Sequence, residues 1–149
     1  MYYEPDKKYN LFELLQKADE GDMESMSEAV SLLCAEGYIG SDNTEPDIVE
    51  RYISYLEKLA KLGDSTSYIM LGGAYRTGNG VPKDLSVAKR LYERAVEEGI
   101  SFGNECIGFL FYNGEGVSVD YKKAFEYFTM NENPSICTLY ALGEMYRLG

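Results

Sequence analysis

Apolar residues recur along this chain at helical spacing, and the pattern itself repeats. In residues 71–84, Leu71 and Tyr75 lie four positions apart on one helical face, and a glycine-rich turn follows. Residues 107–120 repeat this segment about 36 positions later, and residues 142–149 begin a third copy. A period in the thirties is typical of stacked helical hairpins, each of which buries its apolar face against its neighbours. The pattern therefore predicts an all-α fold, a right-handed solenoid of antiparallel helix hairpins.

Helix boundaries follow from the apolar spacing and from capping residues. The first helix is predicted to open at Asn10, with Glu13 as its capping-box partner, and to end before Gly21. Thr44 is predicted to cap a later helix. Residues 1–21 should form an N-terminal arm and a capping helix, and residues 22–149 a solenoid of about three hairpins plus a final helix. The predicted later helices cover residues 23–36, 44–62, 65–77, 84–98, 101–113, 120–130 and 135–148.

Repeated polar and small residues have predicted structural roles. Asp84 and Asp120 stand where a side chain caps the second helix of a hairpin. Gly78 and Gly114 fall at the ends of the first helices, where a left-handed residue is favoured. Gly72 lies beside Leu71 and is expected to let a neighbouring helix approach closely. The repeated tyrosines, Tyr146 among them, are expected to pack rather than to bind.

The last hairpin is represented only by its first helix, because Gly149 falls at the position of Gly78. Either a longer native chain or a terminal capping helix would account for this. The sequence leaves both explanations open.

The chain is acidic, with a formal net charge of −11. The charge is uneven, because residues 1–66 carry 15 acidic and 6 basic residues, whereas residues 67–149 carry 10 and 8. A chain with no basic stripe is poorly suited to phosphate backbones. We therefore expect no nucleic-acid partner.

Cysteine usage indicates a reducing compartment. Cys34, Cys106 and Cys137 are an odd number without close spacing, and the chain has no histidine. This composition argues against a disulfide framework, a zinc cluster and a Cys–His pair. No signal-peptide pattern and no apolar run of about 18 residues is present. We expect a cytoplasmic protein with no membrane partner.

The glycine-rich turns do not predict a cofactor. Gly78-Asn79-Gly80 lacks the Gly-Lys-Ser/Thr continuation of a phosphate loop, and its glycines already have turn roles. We expect no cofactor, no metal and no enzymatic activity.

The repeated positions carry a family resemblance. The first complete copy contains Leu71-Gly72-x-x-Tyr75-x-x-Gly78-x-Gly80-Val81-x-x-Asp84-x-x-x-Ala88-x-x-Leu91-Tyr92-x-x-Ala95-x-x-x-Gly99. It resembles the Sel-one-like repeat (SLR), a relative of the tetratricopeptide repeat. The next copy departs at Phe111, where tyrosine is usual, and at Asn131, where alanine is usual. The resemblance covers residues 67–149 well and residues 22–66 weakly.

The resemblance implies an adaptor or scaffold that binds a peptide or protein segment on its concave helical surface. The alternatives are a structural or regulatory fragment that binds nothing and, remotely, a hydrolase of the cysteine-rich branch, whose cysteine pairs this chain lacks. By analogy with the tetratricopeptide hairpin, ligand-facing residues should lie on the first helices. We call the predicted residues the candidate strip: Ile69, Arg76, Phe102, Glu105, Phe109, Tyr112, Tyr140, Glu144 and Arg147.

Overall fold

The computed structural model describes residues 6–35, 37, 39 and 45–149, with side chains from residue 11 onward. The described residues form eight α-helices and no strand, which confirms the all-helical prediction. Each helix packs against the next one along the chain. The helices are α1 (Asp6–Asp19), α2 (Met23–Ala35), α3 (Pro46–Lys61), α4 (Thr66–Thr77), α5 (Leu85–Glu97), α6 (Phe102–Asn113), α7 (Tyr121–Thr129) and α8 (Ile136–Leu148).

Two kinds of helix alternate. We call α2, α4, α6 and α8 the first helices and α1, α3, α5 and α7 the second helices. Three second helices end in the same way, with a glycine at positive φ followed by an amide that donates back to the last turn. These bonds are Asp22 N–H to the Lys17 carbonyl, Asp64 N–H to the Leu59 carbonyl and Ile100 N–H to the Ala95 carbonyl. α1 therefore has the C-terminus of a second helix.

The prediction for the start of α1 is wrong. The helix begins at Asp6, so Asn10 lies inside it and is not its N-cap. Residues 1–5 and Thr44 lie outside the described residues, and the division at residue 21 stays a prediction.

The regular hairpins begin and end where their capping residues predict. The Asp84 carboxylate accepts hydrogen bonds from the backbone amides of Ser86 and Val87, and Asp120 accepts one from the amide of Lys123. α4 ends at Gly78, which has φ 75°. These interactions join residues within a few positions of one another, so local sequence predicts them.

Gly72 is a packing glycine, as predicted, and Gly108 has the same role in the next hairpin. A Cβ atom on Gly72 would lie 2.4 Å from the Tyr92 ring, and one on Gly108 would lie 2.6 Å from the Phe128 ring. In both regular hairpins an aromatic ring of the second helix therefore rests on the backbone of the first helix.

The turn glycines make a second close contact. Gly80 has φ 76°, and a Cβ there would lie 2.4 Å from Val49 on α3. Gly116 has φ 69°, and a Cβ there would lie 2.5 Å from Leu85 on α5. Each turn thus lies over the preceding second helix, which ties consecutive hairpins together.

Buried residues form two clusters along the helical stack. The first joins α1 to α4 and includes Leu33, Leu56 and Leu71. The second joins α5 to α8 and includes Tyr92 and Phe128. The core is thus a ribbon between helical layers, as expected for a stack of hairpins.

Two polar contacts at first-helix starts were not predicted. The Asp22 carboxylate accepts from both the amide and the hydroxyl of Ser25, and Asp64 does the same for Ser67. Both serines are buried. The signal was present in the sequence, since Gly-Asp-x-x-Ser occurs at residues 21–25 and again at 63–67.

Candidate protein-binding surface

The candidate strip is not one continuous surface. Ile69, Glu105 and Tyr140 occupy the same position of three successive first helices, two residues before the leucine or isoleucine of the repeat. Ile69 is partly buried against the second core cluster, Glu105 is buried and Tyr140 is 71% exposed. This position therefore faces the seam between repeats in α4 and α6 and is open only in α8.

Glu105 is buried within the stack of helices, so the prediction that it belongs to the candidate strip is wrong. The side chain is only 1% exposed, and its carboxylate already has partners on two other segments. It accepts hydrogen bonds from the Asn131 amide at 2.5 Å, the Ser135 hydroxyl at 2.5 Å and the Thr138 hydroxyl at 2.5 Å. It also accepts from the Ser135 backbone amide at 3.1 Å. Glu105 thus connects α6 to the start of α8.

The ionised form of Glu105 is stabilised by these bonds. Burial by itself raises the pKa of the carboxyl, but the hydrogen bonds from Ser135, Thr138 and Asn131 outweigh it and lower the pKa below its ordinary value. A charged acceptor with this many donors is a stable structural element, and no free lone pair is evident for a partner.

Arg76 is partly engaged in the seam as well. Its Nε lies 3.7 Å from Oε2 of Glu115, in the turn of the following repeat. The side chains of both residues are partly exposed, so the pair contributes little to stability.

Phe109 and Tyr112 form an aromatic cluster with Phe128. The ring centroids of Phe109 and Phe128 are 4.8 Å apart, those of Phe109 and Tyr112 are 6.3 Å apart, and those of Tyr112 and Phe128 are 6.2 Å apart. Tyr112 also meets the ring of Tyr121 edge-on at 5.5 Å. Both residues of the strip are partly buried, so only a part of each ring remains available to a partner.

Of the remaining members of the strip, Phe102, Tyr140 and Arg147 are exposed and Glu144 is partly buried. Phe102, at the start of α6, is 45% exposed. On α8, Arg147 donates from Nη2 to Oε2 of Glu144 at 2.8 Å and from Nε to Oε1 at 3.2 Å. This pair neutralises both charges beside Tyr140.

One side of α8 is apolar and open, which the sequence analysis missed. Ile136 is 85% exposed, Leu139 55% and Tyr146 73%. Tyr146, which was expected to pack, contacts only the edge of Phe125 among the aromatic rings described, at 5.8 Å. The spacing of these residues and Tyr140 follows one helical face, and that periodicity was the available signal. We call Ile136, Leu139, Tyr140, Gly143 and Tyr146 the α8 surface.

A groove of about 520 Å³ adjoins the α8 surface. Its walls are mostly apolar and come from the end of α6, the start of α7 and the end of α8. The residues that line it include Tyr112, Tyr121, Phe125, Met145 and Leu148. This groove and the exposed face of α8 therefore lie at the same end of the chain.

The described side chains offer little for covalent or metal chemistry. The three cysteines are free, and burial raises the pKa of the Cys106 thiol to about 11, so little of it is thiolate at neutral pH. Among residues 6–35, 37, 39 and 45–149, no group of three or more cysteine or carboxylate side chains could hold a metal ion. In that same part of the chain, no helix has the length and hydropathy needed to cross a membrane.

Comparisons with known proteins bear on the repeats and on the fold. The model of the Sel1 repeat matches residues 65–100 and 107–130. A similar solved structure is that of a Sel1 repeat protein from Oxalobacter formigenes, with 25% identity, a TM-score of 0.61 and coverage of 87% of this chain and 94% of that one.

A second similar structure is a protective antigen present in uropathogenic Escherichia coli strains, which displays an SLR fold. It shares 23% identity with this chain at a TM-score of 0.65, over 83% of this chain. This chain spans only 25% of the length of the E. coli protein. The solenoid prediction is confirmed by both structures. Residues 65–100 and 107–130 are therefore similar to the Sel1 repeat, and the chain has a helical-repeat fold like that of the two solved structures.

Proposed function

We propose that this chain is a protein-binding scaffold and that it holds a protein segment on the α8 surface and the adjoining groove. The observation that carries the proposal is the exposure of Ile136, Leu139, Tyr140 and Tyr146, each more than half exposed on one helical face. A contiguous apolar patch of this kind marks an interaction site more often than a solvated surface. Burying this patch against a partner contributes a favourable binding free energy of about 25 cal/mol per Å² of apolar area.

The chemistry of the surface favours a protein partner. Tyrosine and arginine are the residue types that most often dominate binding energy, and Tyr112, Tyr140 and Arg147 of the candidate strip lie at this end of the chain. The net charge of −11 disfavours nucleic acid. The binding surface is therefore proposed at the C-terminal end rather than along all first helices, because Ile69, Arg76 and Glu105 are engaged in packing between repeats.

The proposal extends to the setting of the protein. Three free cysteines fit a reducing compartment, and we place the protein in the cytoplasm. We do not propose a hydrolase, because the exposed thiols of Cys34 and Cys137 have no histidine beside them to act as a base.

A photoreactive side chain tests the proposal. p-Benzoylphenylalanine replaces Tyr140 in one variant and Phe12, an equally exposed aromatic residue on α1, in a control variant. On irradiation in the source cell, we expect a defined protein adduct from position 140 and none of the same mass from position 12. An excess of the unmodified chain should suppress formation of that adduct, whereas an excess of the Leu139→Glu chain should not.

The competing interpretation is a structural fragment that binds nothing. Under this interpretation, no adduct forms at position 140, or the Leu139→Glu chain suppresses the adduct as strongly as the unmodified chain does. Either result would contradict the proposed function.

A further inference from the structure

We propose that the groove between α3 and α5 binds a lysine side chain from a basic segment of a partner protein, with the ammonium group over the ring of Tyr75 and beside the carboxylate of Glu57. This groove shares no residue with the α8 surface, so the inference goes beyond the proposed function and does not depend on it. The equivalent place in the next repeat is filled by side chains of this chain, and they show what fits there.

The groove measures about 340 Å³ and lies along α4, between two second helices that are both present. Its opening therefore does not depend on what adjoins either end of the chain. A volume of this size is within the range of about 300–1,000 Å³ that is usual for ligand pockets. Its walls are mostly apolar and include Glu57 and Lys61 on α3, Tyr68 and Tyr75 on α4, and Val87 and Leu91 on α5.

In the next repeat a lysine covers the residue that corresponds to Tyr75. Counted 36 positions along the chain, Tyr75 corresponds to Phe111 and Val87 corresponds to Lys123. The Lys123 ammonium lies 5.2 Å from the centre of the Phe111 ring, which is the distance of a cation–π interaction. Because valine stands in place of this lysine, α5 offers no cation to Tyr75.

A second replacement leaves space beside Tyr75. Leu91 stands where the next repeat has Tyr127. The Tyr127 ring stacks on Phe111 with centroids 5.8 Å apart and planes inclined by 12°. The leucine has no ring to stack, so the groove stays open in the earlier repeat.

The other aromatic residue of the groove already has a cation. The Cζ atom of Arg94 lies 5.9 Å from the centre of the Tyr68 ring. Tyr68 and Phe111 are therefore each covered by a basic side chain from the following second helix. In the described part of the chain, no basic side chain lies over the ring of Tyr75 in this way.

A carboxylate at the groove is available to an incoming ammonium group. The exposed Glu57 takes part in none of the ion pairs of the described residues, and Lys61, four positions later, lies beyond ion-pair distance of it. The counterpart of Glu57 in the next repeat is Glu93, which pairs with Lys89 at 3.3 Å. The chain thus satisfies this position once from its own residues and once not.

The charge of the chain favours a basic partner over a second copy. Residues 1–66, which include the α3 wall, carry 15 acidic and 6 basic residues. This excess attracts a basic segment, whereas two copies with a net charge of −11 each repel one another. A lysine also suits the apolar walls, because its alkyl stem can pack on Val87 and Leu91 while the ammonium group reaches Tyr75 and Glu57.

A short fluorescein-labelled peptide of alternating lysine and glycine serves as the probe. Anisotropy titration with the full chain at physiological ionic strength measures its affinity. The control peptide has every lysine acetylated, which keeps the length and removes the charge. We expect saturable binding of the lysine peptide and a dissociation constant about tenfold or more higher for the acetylated one, equivalent to about 1.4 kcal/mol.

Two lysine variants of the full chain form a matched pair. Val87→Lys and Ser86→Lys each add one positive charge in the first turn of α5, but Ser86 is exposed and does not line the groove. Only Val87→Lys gives Tyr75 the ammonium group that Lys123 gives Phe111. We expect Val87→Lys to weaken peptide binding about tenfold and Ser86→Lys to leave it nearly unchanged.

Two substitutions of Tyr75 test the ring itself. Tyr75→Phe keeps the aromatic face and should bind the peptide as the native chain does, since the next repeat carries phenylalanine here. Tyr75→Leu removes the face and should weaken binding about tenfold. Circular dichroism checks that each variant is folded, and the lysine pair tests the site independently if Tyr75→Leu is not.

Four outcomes would overturn the inference. They are no binding of the lysine peptide, equal binding of the acetylated peptide, equal effects of Val87→Lys and Ser86→Lys, and self-association of the chain that Val87→Lys abolishes. The third would show that the net charge alone attracts the peptide, and the fourth that a second copy occupies the groove. Because these variants leave the α8 surface intact, the adduct at position 140 should form in each of them, so the two proposals stand or fall separately.

Discussion

Glu105 on α6 and Thr138 on α8 are both buried and are joined by a hydrogen bond of 2.5 Å from the threonine hydroxyl to the carboxylate. The same carboxylate accepts from the hydroxyl and the amide of Ser135, which caps α8. This buried carboxylate therefore helps to fix the position of α8, together with the packing of Ala141, Leu142 and Met145 against the second core cluster.

Removal of this carboxylate should destabilise the chain. Glu105→Ala leaves the hydroxyls of Ser135 and Thr138 without their acceptor, which should lower the free energy of unfolding by about 2–4 kcal/mol. The exposed Glu126 provides a control, and Glu126→Ala should change the value by less than about 0.5 kcal/mol. Urea unfolding followed by circular dichroism measures both. Equal effects of the two substitutions would show that the buried carboxylate is not a structural element.

The contribution of Glu105 should depend on pH. Its folded pKa is held below the ordinary value of 4.5, so its stabilisation is present above that pH and is lost as the pH falls through the folded pKa. The difference in unfolding free energy between the native chain and Glu105→Gln should therefore be constant near neutral pH and shrink below pH 4.5. A difference that grows on acidification would contradict the direction of the pKa shift.

Adjacent glycines on α4 should respond in opposite ways to alanine. Gly72→Ala places a Cβ 2.4 Å from the Tyr92 ring and should cost about 1–3 kcal/mol through overpacking. Gly73→Ala enters open space, and better helix propensity should stabilise the chain by up to about 1 kcal/mol. Thermal unfolding distinguishes the two. An unchanged melting temperature for Gly72→Ala would refute the packing described for the hairpin.

The N-cap of α5 should be replaceable only by another capping residue. Asp84→Ala removes the acceptor for the amides of Ser86 and Val87 and should cost about 0.5–2 kcal/mol. Asp84→Asn keeps an acceptor oxygen in place and should cost much less. If both variants lose the same stability in denaturant unfolding, the loss comes from the charge and not from the cap.

The cysteines should react with thiol reagents at two different rates. Cys34 and Cys137 are exposed, whereas Cys106 is partly buried and burial raises its pKa to about 11. In the native chain near pH 8, we expect labelling of Cys106 at least about tenfold slower than that of the other two, because only the thiolate reacts. Denaturation without reductant should make all three react fully. A cysteine that stays unreactive after denaturation would indicate a disulfide and argue against a reducing compartment.

Sequence alone determined the helical repeat, most helix ends and the packing glycines. The roles of Asp84 and Gly78 depend on residues within one or two helical turns. The role of Gly72 depends on a contact that recurs in each regular hairpin. Residue spacing therefore predicts all three. Asn10 shows the limit of this logic, because a capping residue can equally lie inside a helix when the residues before it are also compatible with helix.

The tertiary structure decided which repeat positions are open. Ile69, Glu105 and Tyr140 are equivalent in sequence, yet the first two are covered and the third is bare, because exposure depends on what packs over each first helix. The donors that bury Glu105 lie 26 to 33 residues away in sequence, beyond any local pattern. Periodicity defines the face of a helix on which a side chain lies, whereas only the arrangement of its neighbours decides whether that face meets water or another helix.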